Sequence, residues 1–289
     1  MKKALAFDIG GTKIYYAIID SDGNICSEIF KEQTPKTIEG FKSFLSETFK
    51  NFEDKVDMFA ISTAGAVNNE HTRVISSTGN LVEGYRDIAF QSFTSKKVYV
   101  ENDANCAAWA EHILGASKGC GYSVMLTLGT GVGGGIILDN KLYKGKSGSA
   151  GEMHFKLYND KRRKCTCGAW DCFEAYCSGT GLKKTAEEIL SNPDVTTYDV
   201  IDGVKSGDDK MTEIFNKWQN DILAGCIGLA NIFDPDCFVF SGSMAEFIDT
   251  DYLEKNINKE ILTAPTKVYK ATTGNHAGMI GAALLGLNE

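Results

Sequence analysis

Two hydrophobic rhythms run along this chain, one of short unbroken apolar runs and one at helical spacing. Residues 3–8 form an apolar run that ends at Asp8, and residues 13–19 form another, so both predict strands. Ile9-Gly10-Gly11-Thr12 predicts a tight turn between them. Ser21-Asp22-Gly23-Asn24 predicts a second turn, into a third strand near 25–30. Ile38, Phe41, Leu45, Phe49 and Phe52 then recur at helical spacing and predict a helix over 37–52. Phe59-Ala60-Ile61-Ser62 predicts a buried strand that ends in the small-residue loop Thr63-Ala64-Gly65. A polar, turn-rich segment follows through Gly79-Asn80, then a strand over 97–101 and an Ala-rich helix over 104–114.

After Gly115-Ala116-Ser117-Lys118-Gly119 the opening shape recurs. Residues 122–128 predict a strand, Gly129-Thr130-Gly131 a turn, and 133–138 a second strand. Residues 145–178 are loop-rich. Helices are expected over 182–190, 200–205 (weakened by Gly203) and 212–232. A buried strand over 236–240 runs into Ser241-Gly242-Ser243-Met244, a short strand covers 267–270, and 277–287 forms a terminal helix.

Composition narrows the class. With 289 residues, 43% hydrophobic and 24% charged, the chain fits a soluble globular protein of two domains. The net charge is -8, and Lys161-Arg162-Arg163-Lys164, the only basic cluster, reads as a solvated loop. Nucleic acid is therefore not an expected partner. No apolar run approaches the roughly 18 residues that span a bilayer, and Asp8 interrupts the N-terminal run too early for a signal peptide. No membrane partner is expected, and a cytoplasmic location is. Cys26, Cys106, Cys120, Cys226 and Cys237 lie singly in apolar segments and read as reduced, buried thiols. Cys165, Cys167 and Cys172 cluster within eight residues, a spacing suited to tetrahedral zinc.

Two stretches suggest phosphate binding. Polyphosphates need converging backbone N–H groups with no side chains in the way, which glycine permits. Asp8-Ile9-Gly10-Gly11-Thr12-Lys13 and Leu128-Gly129-Thr130-Gly131-Val132-Gly133-Gly134-Gly135 both fit. Neither is followed by Gly-Lys-Ser/Thr, so neither is a Walker loop. Between them, Glu101-Asn102-Asp103 marks a strand-to-helix junction. Asp103 can cap that helix. It can also act as a general base on a hydroxyl that attacks phosphate.

Asp-x-Gly-Gly-Thr-Lys, Glu-Asn-Asp-x-Asn, Leu-Gly-Thr-Gly-x-Gly-Gly-Gly and Cys-x-Cys-Gly-x(3)-Cys-x-Glu occur in this order. Together they resemble the ROK family (repressors, open reading frames, sugar kinases), from Asp8 to the terminal helix. The resemblance implies an α/β, actin/hexokinase-like (ribonuclease H-like) fold of two lobes with a deep cleft. One lobe would cover 1–115 plus a returning helix at about 276–289, and the other 116–275. It implies ATP, Mg²⁺ and transfer of phosphate to the 6-hydroxyl of a hexose or N-acetylhexosamine, as in glucokinases or N-acetylmannosamine kinases. Fructokinase-type specificity and a sugar-responsive repressor are the alternatives; only seven residues precede Asp8, which leaves no room there for a DNA-binding domain. The family also suggests a homodimer.

By the same resemblance, Asp103 would be the general base. Asn80, Asn102, Asp103, Glu152, His154 and Glu174 would hold the sugar. Gly10, Gly11, Thr12, Lys13, Gly129, Thr130, Gly131 and Gly133 match the phosphate loops, Asp8 would position Mg²⁺, and Gly242 falls where the family has its adenosine loop. The family's fourth zinc ligand is a histidine in Gly-Glu-x-Gly-His, whereas this chain reads Gly151-Glu152-Met153-His154-Phe155. Aligned without a gap, which the spacing to Cys165 favours, Phe155 takes the histidine position. A one-residue deletion restores His154. Asp171 replaces a usual glycine before Cys172.

Overall fold

The computed structural model describes residues 1–76 and 81–289. The chain divides into two compact units, 1–119 with 135–151 and 272–289, and 120–134 with 152–271.

In the first unit, β1 (Lys3–Ile9), β2 (Lys13–Asp20) and β3 (Phe30–Gln33) form a meander. After α1 (Ile38–Phe52) come β4 (Met58–Thr63), the short pair β5 (Ala66–Val67) and β6 (Val74–Ser76), β7 (Val98–Asn102) and α2 (Asp103–Ile113). The sheet order is β3-β2-β1-β4-β7, with β1, β4 and β7 parallel. Leu45 and Phe49 turn α1 onto one face of this sheet, where the Phe49 ring stacks on Phe59 at 4.0 Å between centroids. The third strand lies later than the pattern suggested. The Asp20 carboxylate accepts the backbone N–H groups of Asp22 and Asn24 in a tight turn that folds the chain back onto β2, where an isolated antiparallel bridge, Ile25 to Ile19, forms before β3. Ile25 and Ile29 are left exposed, and so is Cys26, which is not the buried thiol expected. The polar Lys31-Glu32-Gln33 run is tolerated in β3 because it is the sheet's edge strand.

The chain continues through β8 (Ser123–Leu128), β9 (Val132–Leu138), β10 (Lys141–Leu142), α3 (Glu174–Cys177), α4 (Gly179–Leu190), α5 (Thr197–Ser206), α6 (Asp209–Phe233), β11 (Cys237–Ser241), α7 (Thr250–Glu260), β12 (Lys267–Lys270) and α8 (Ala277–Asn288). A second five-stranded sheet has the order β10-β9-β8-β11-β12, with β11 parallel to β8 and β12. In the second unit, the Trp218 side chain of α6 is fully buried, and its Nε1 donates to the Cys177 carbonyl at 3.0 Å. Helix α6 starts earlier than its apolar pattern, since Asp208 caps it through the N–H groups of Lys210 and Met211. Gly203 does not weaken α5; a Cβ there would meet Met211 Cγ at 2.4 Å, so the glycine lets α6 pack close.

Helix α8 belongs to the first unit and packs on α2, β1 and β4. Glycine makes this approach possible: a Cβ on Gly281 would lie 1.8 Å from the Cys106 carbonyl oxygen. Glu111, wholly buried in α2, accepts the backbone N–H groups of Ala116, Thr272 and Thr273. It thereby pins the segments by which the chain leaves and re-enters this unit. Among the described residues, no helix is long and apolar enough to cross a membrane.

Candidate active site

Parallel strands in an α/β sheet offer a ligand site at their carboxyl ends. Strands β1, β4 and β7 bring Asp8, Ser62, Thr63 and Asn102 there, with Asp8 opposite Ser62 and Thr63 opposite Asn102. The side-chain cap of α2 is Asn102, whose Oδ1 accepts the Asn105 N–H at 3.0 Å. Asp103 is the first helical residue and not the cap considered from sequence. Its exposed carboxylate sits at the positive end of the helix. Oδ1 accepts the Ala104 N–H at 2.9 Å and the Asn102 side-chain amide at 3.1 Å. Asn102 Nδ2 also donates to the Gly65 carbonyl at 3.0 Å, which fixes its rotamer.

Asp8 lies near enough to sense Asp103. Burial first, and then the Asp103 charge, push its carboxyl up to about 6, while a hydrogen bond from Ser62 opposes this. Two carboxylates that disfavour each other's ionisation suit a cation between or beside them. The turn after β1 is closed by Gly10 N–H to Lys13 O at 3.0 Å, and the Thr34 hydroxyl donates to the Gly10 carbonyl at 2.6 Å. Gly11, Thr12 and Lys13 are exposed there.

In the second unit, the turn between β8 and β9 is closed by Gly129 N–H to Gly131 O at 3.0 Å. Its glycines have different reasons. Gly129 has open space where a Cβ would be, whereas a Cβ on Gly131 would meet Glu174 Oε2 at 2.6 Å. That carboxylate accepts the Val132 N–H at 3.1 Å. Gly135, in the first unit, is required by packing, since a Cβ would lie 2.5 Å from the Ala108 Cβ of α2. The Gly179 N–H donates to the Gly129 carbonyl at 2.8 Å and the Thr180 hydroxyl to the Thr130 carbonyl at 2.8 Å, so the start of α4 backs the turn. Gly242, at φ +88°, also packs against β8, at Leu128.

Glu174 links this turn to the cysteine loop. Its Oε1 accepts the Thr166 hydroxyl at 2.5 Å and lies 3.4 Å from Cys165 Sγ. His154, Cys165, Cys167 and Cys172 place one ligand atom each within 4.8 Å of one another. Cys167 and Cys172 Sγ are 3.6 Å apart, and Cys165 Sγ is 3.4 Å from His154 Nδ1. Zn–S and Zn–N bonds of about 2.3 and 2.1 Å give tetrahedral edges of about 3.6–3.8 Å, so this donor set fits zinc. Glu152 Oε2 lies 3.7 Å from His154 Nε2, in the position of an outer partner that orients a metal-binding histidine.

The ungapped alignment is thereby corrected. His154 joins the cysteines, and Phe155, half-buried, stacks on Phe173 at 4.9 Å. Asp171 has φ +59°, which explains a glycine preference at this place. Its carboxylate compensates by accepting the N–H groups of Lys161, Arg162 and Arg163 and the Tyr176 hydroxyl. The basic cluster is not wholly solvated either. Arg163 is 3% exposed and makes two 2.8 Å bonds to Glu188. Asn80 lies outside the described residues. Sequence reasoning missed Lys144, which inserts beside Glu101 at 2.7 Å and carries no motif signal.

Solved proteins share this architecture. A ROK family glucokinase from Streptomyces griseus, determined with glucose and AMPPNP, aligns with TM-score 0.76 at 30% identity, covering 98% of each chain. A ROK hexokinase from Thermus thermophilus aligns with TM-score 0.86 at 28% identity, covering 99% of each. The fold is thus of the actin/hexokinase-like α/β class. The model of the ROK family matches residues 4–289, and the chain belongs to that family. A glucokinase from Streptomyces coelicolor is 31% identical, with 98% of this chain and 97% of that protein covered. An N-acetylmannosamine kinase from Vibrio cholerae is 30% identical, again over 98% and 97%.

Proposed function

We propose that this protein is an ATP-dependent sugar kinase that phosphorylates the 6-hydroxyl of a hexose or N-acetylhexosamine. The observation that carries the reading is Asp103. Asn102 takes the capping work and leaves an oriented carboxylate at the carboxyl ends of parallel strands. Phosphoryl transfer is mostly positioning and charge neutralisation. Asp103 accepts the hydroxyl proton as the oxygen attacks the γ-phosphate. Asn102, Glu152 and Glu174 hold sugar hydroxyls, and Asn80 is assigned with them. Both Glu174 oxygens are already engaged, but a carboxylate has about four lone-pair sites and can accept a hydroxyl as well.

Gly10 and Gly129, whose N–H groups close the two turns, shape the loops in which the backbone N–H groups of Gly11, Thr12, Thr130, Gly131 and Gly133 take the phosphates, and Lys13 lies beside the first turn. Gly242 is assigned to the nucleotide. Asp8 is the residue for Mg²⁺ or its waters; that ion would supply charge neutralisation to the phosphates. His154 and the three cysteines would hold a structural zinc, which orders the loop between Glu152 and Glu174. We assign the protein to the cytoplasm and to a homodimer on the strength of the family alone.

A panel of glucose, mannose, fructose, N-acetylglucosamine and N-acetylmannosamine, read by ADP release and by phosphorus–proton NMR of the product, tests this. The expected outcome is saturable turnover on at least one sugar with phosphate on C6. Phosphate on another carbon, or no turnover on any of them, contradicts it.

A further inference from the structure

Glu101 is the next-to-last residue of β7, two before Asp103, and the chemistry above gives it no role. It is 0% exposed. Its Oε1 accepts the Asn102 backbone N–H at 2.8 Å and the Asn105 side-chain amide at 3.1 Å. Its Oε2 lies 2.7 Å from Lys144 Nζ and 3.0 Å from His71 Nδ1. A buried carboxylate is costly unless paired and hydrogen-bonded. Here two basic side chains reach it from separate segments. Lys144 follows β10 and also donates to the Asn68 carbonyl at 3.1 Å. His71 sits in the turn between β5 and β6 at φ +56°, in the left-handed region that non-glycine residues rarely adopt. Its backbone carbonyl accepts the Val100 N–H at 2.9 Å, and its ring stacks on Tyr99 at 4.3 Å. Such a backbone persists where its surroundings over-determine it.

We propose that Glu101, held by Lys144 and His71, is a positioning residue for Asp103. Asn105 is tied twice: its N–H to the Asn102 side chain at 3.0 Å and its own amide to Glu101 at 3.1 Å. Glu101 therefore clamps both ends of the capping interaction. Asn102, held this way, presents its amide to Asp103 Oδ1. A rotation of Asn102 moves the Asp103 carboxylate with it, and a misplacement of about 1 Å can cost about 100-fold in rate. Lys144 also belongs to the segment that leads to Gly151-Glu152, so one ion pair anchors that segment and the start of α2 within the same unit.

This inference rests on Asp103 being the base, and the test separates the two. The double variant Glu101→Met/Lys144→Met replaces the buried pair with apolar side chains of similar length, which a core often accepts. Asn105→Ala removes only the clamped amide and favours the helix. Both are compared with Glu101→Gln/Lys144→Met, which keeps an acceptor oxygen. For the first variant kcat should fall about 10- to 100-fold with KM for ATP within about twofold, and amide exchange at Asn102 and Asn105 should accelerate. Asn105→Ala should lose about tenfold in kcat, and the glutamine variant should recover most of the rate. Unchanged exchange at both amides, or kcat within about twofold of wild type in Asn105→Ala, overturns the proposal. If the wild type phosphorylates no sugar, the functional reading fails while the exchange data still decide the clamp. If the methionine pair does not fold, Asn105→Ala carries the test.

Discussion

At the scale of single residues, the site's chemistry is shaped by neighbours that relieve or burden each carboxylate. Asn102 relieves Asp103 of capping, and Glu101 is relieved by Lys144 and His71. Burial alone would push the Glu101 carboxyl up, but hydrogen bonds from His71, Lys144 and Asn105 hold it below the usual value. Asp8 carries the opposite burden. Its folded value of about 6 lies above the ordinary 3.8, so the folded state binds this proton more tightly than the unfolded chain. Stability must then decline as pH rises from about 4 to 6 and stay reduced above that. At about 1.36 kcal/mol per pH unit, the ionised Asp8 costs up to about 3 kcal/mol at neutral pH. Asp8→Asn should raise the unfolding free energy of the ligand-free protein at pH 7.5 by a part of this, and the advantage should shrink toward pH 4. The same variant should lose kinase activity. Urea melts at the two pH values check the first point, and a variant no more stable than wild type at pH 7.5 would be evidence against it.

Among the elements, the loop from 152 to 174 holds the most work per residue. It contains the candidate zinc donors and two carboxylates proposed to hold the sugar, and it touches the turn after β8 through the Glu174–Val132 bond. Purified protein should contain about one zinc per chain by elemental analysis, as for four-ligand structural sites. Chelation should expose residues 154–172 to hydrogen exchange, and Cys167→Ser should lower the metal content. Protein with no zinc and a loop already fully protected would exclude this role.

Much of the framework around that loop was legible. Unbroken apolar runs marked the strands, and Phe41, Leu45 and Phe49 marked α1. The loop itself was not, because its order comes from long-range polar bonds. Asp171 capping three successive N–H groups and Arg163 reaching Glu188 leave no periodic trace. His154 faces the cysteines while Phe155 stacks half-buried on Phe173, an arrangement that spacing alone did not reveal. Lys144 was invisible for a related reason: a lysine in a loop reads as solvated until its buried partner is known.

For the whole molecule, the residues assigned under the proposed function fall in both compact units. The first holds Asp8, Asp103 and the turn at Gly10; the second holds the turn at Gly129, the candidate zinc donors, Glu152 and Glu174. Family membership and fold agree on a sugar kinase, and the proposed mechanism requires Asp103 to move the proton. Steady-state turnover of Asp103→Asn on the preferred sugar, with its melting temperature measured on the same sample, is the most direct test. Asn at this position leaves the Asn102 cap in place, so the melting temperature should not fall. Loss of general-base catalysis should lower kcat by about 10²–10⁴-fold. A folded Asp103→Asn protein that turns over within about threefold of wild type would contradict the central claim.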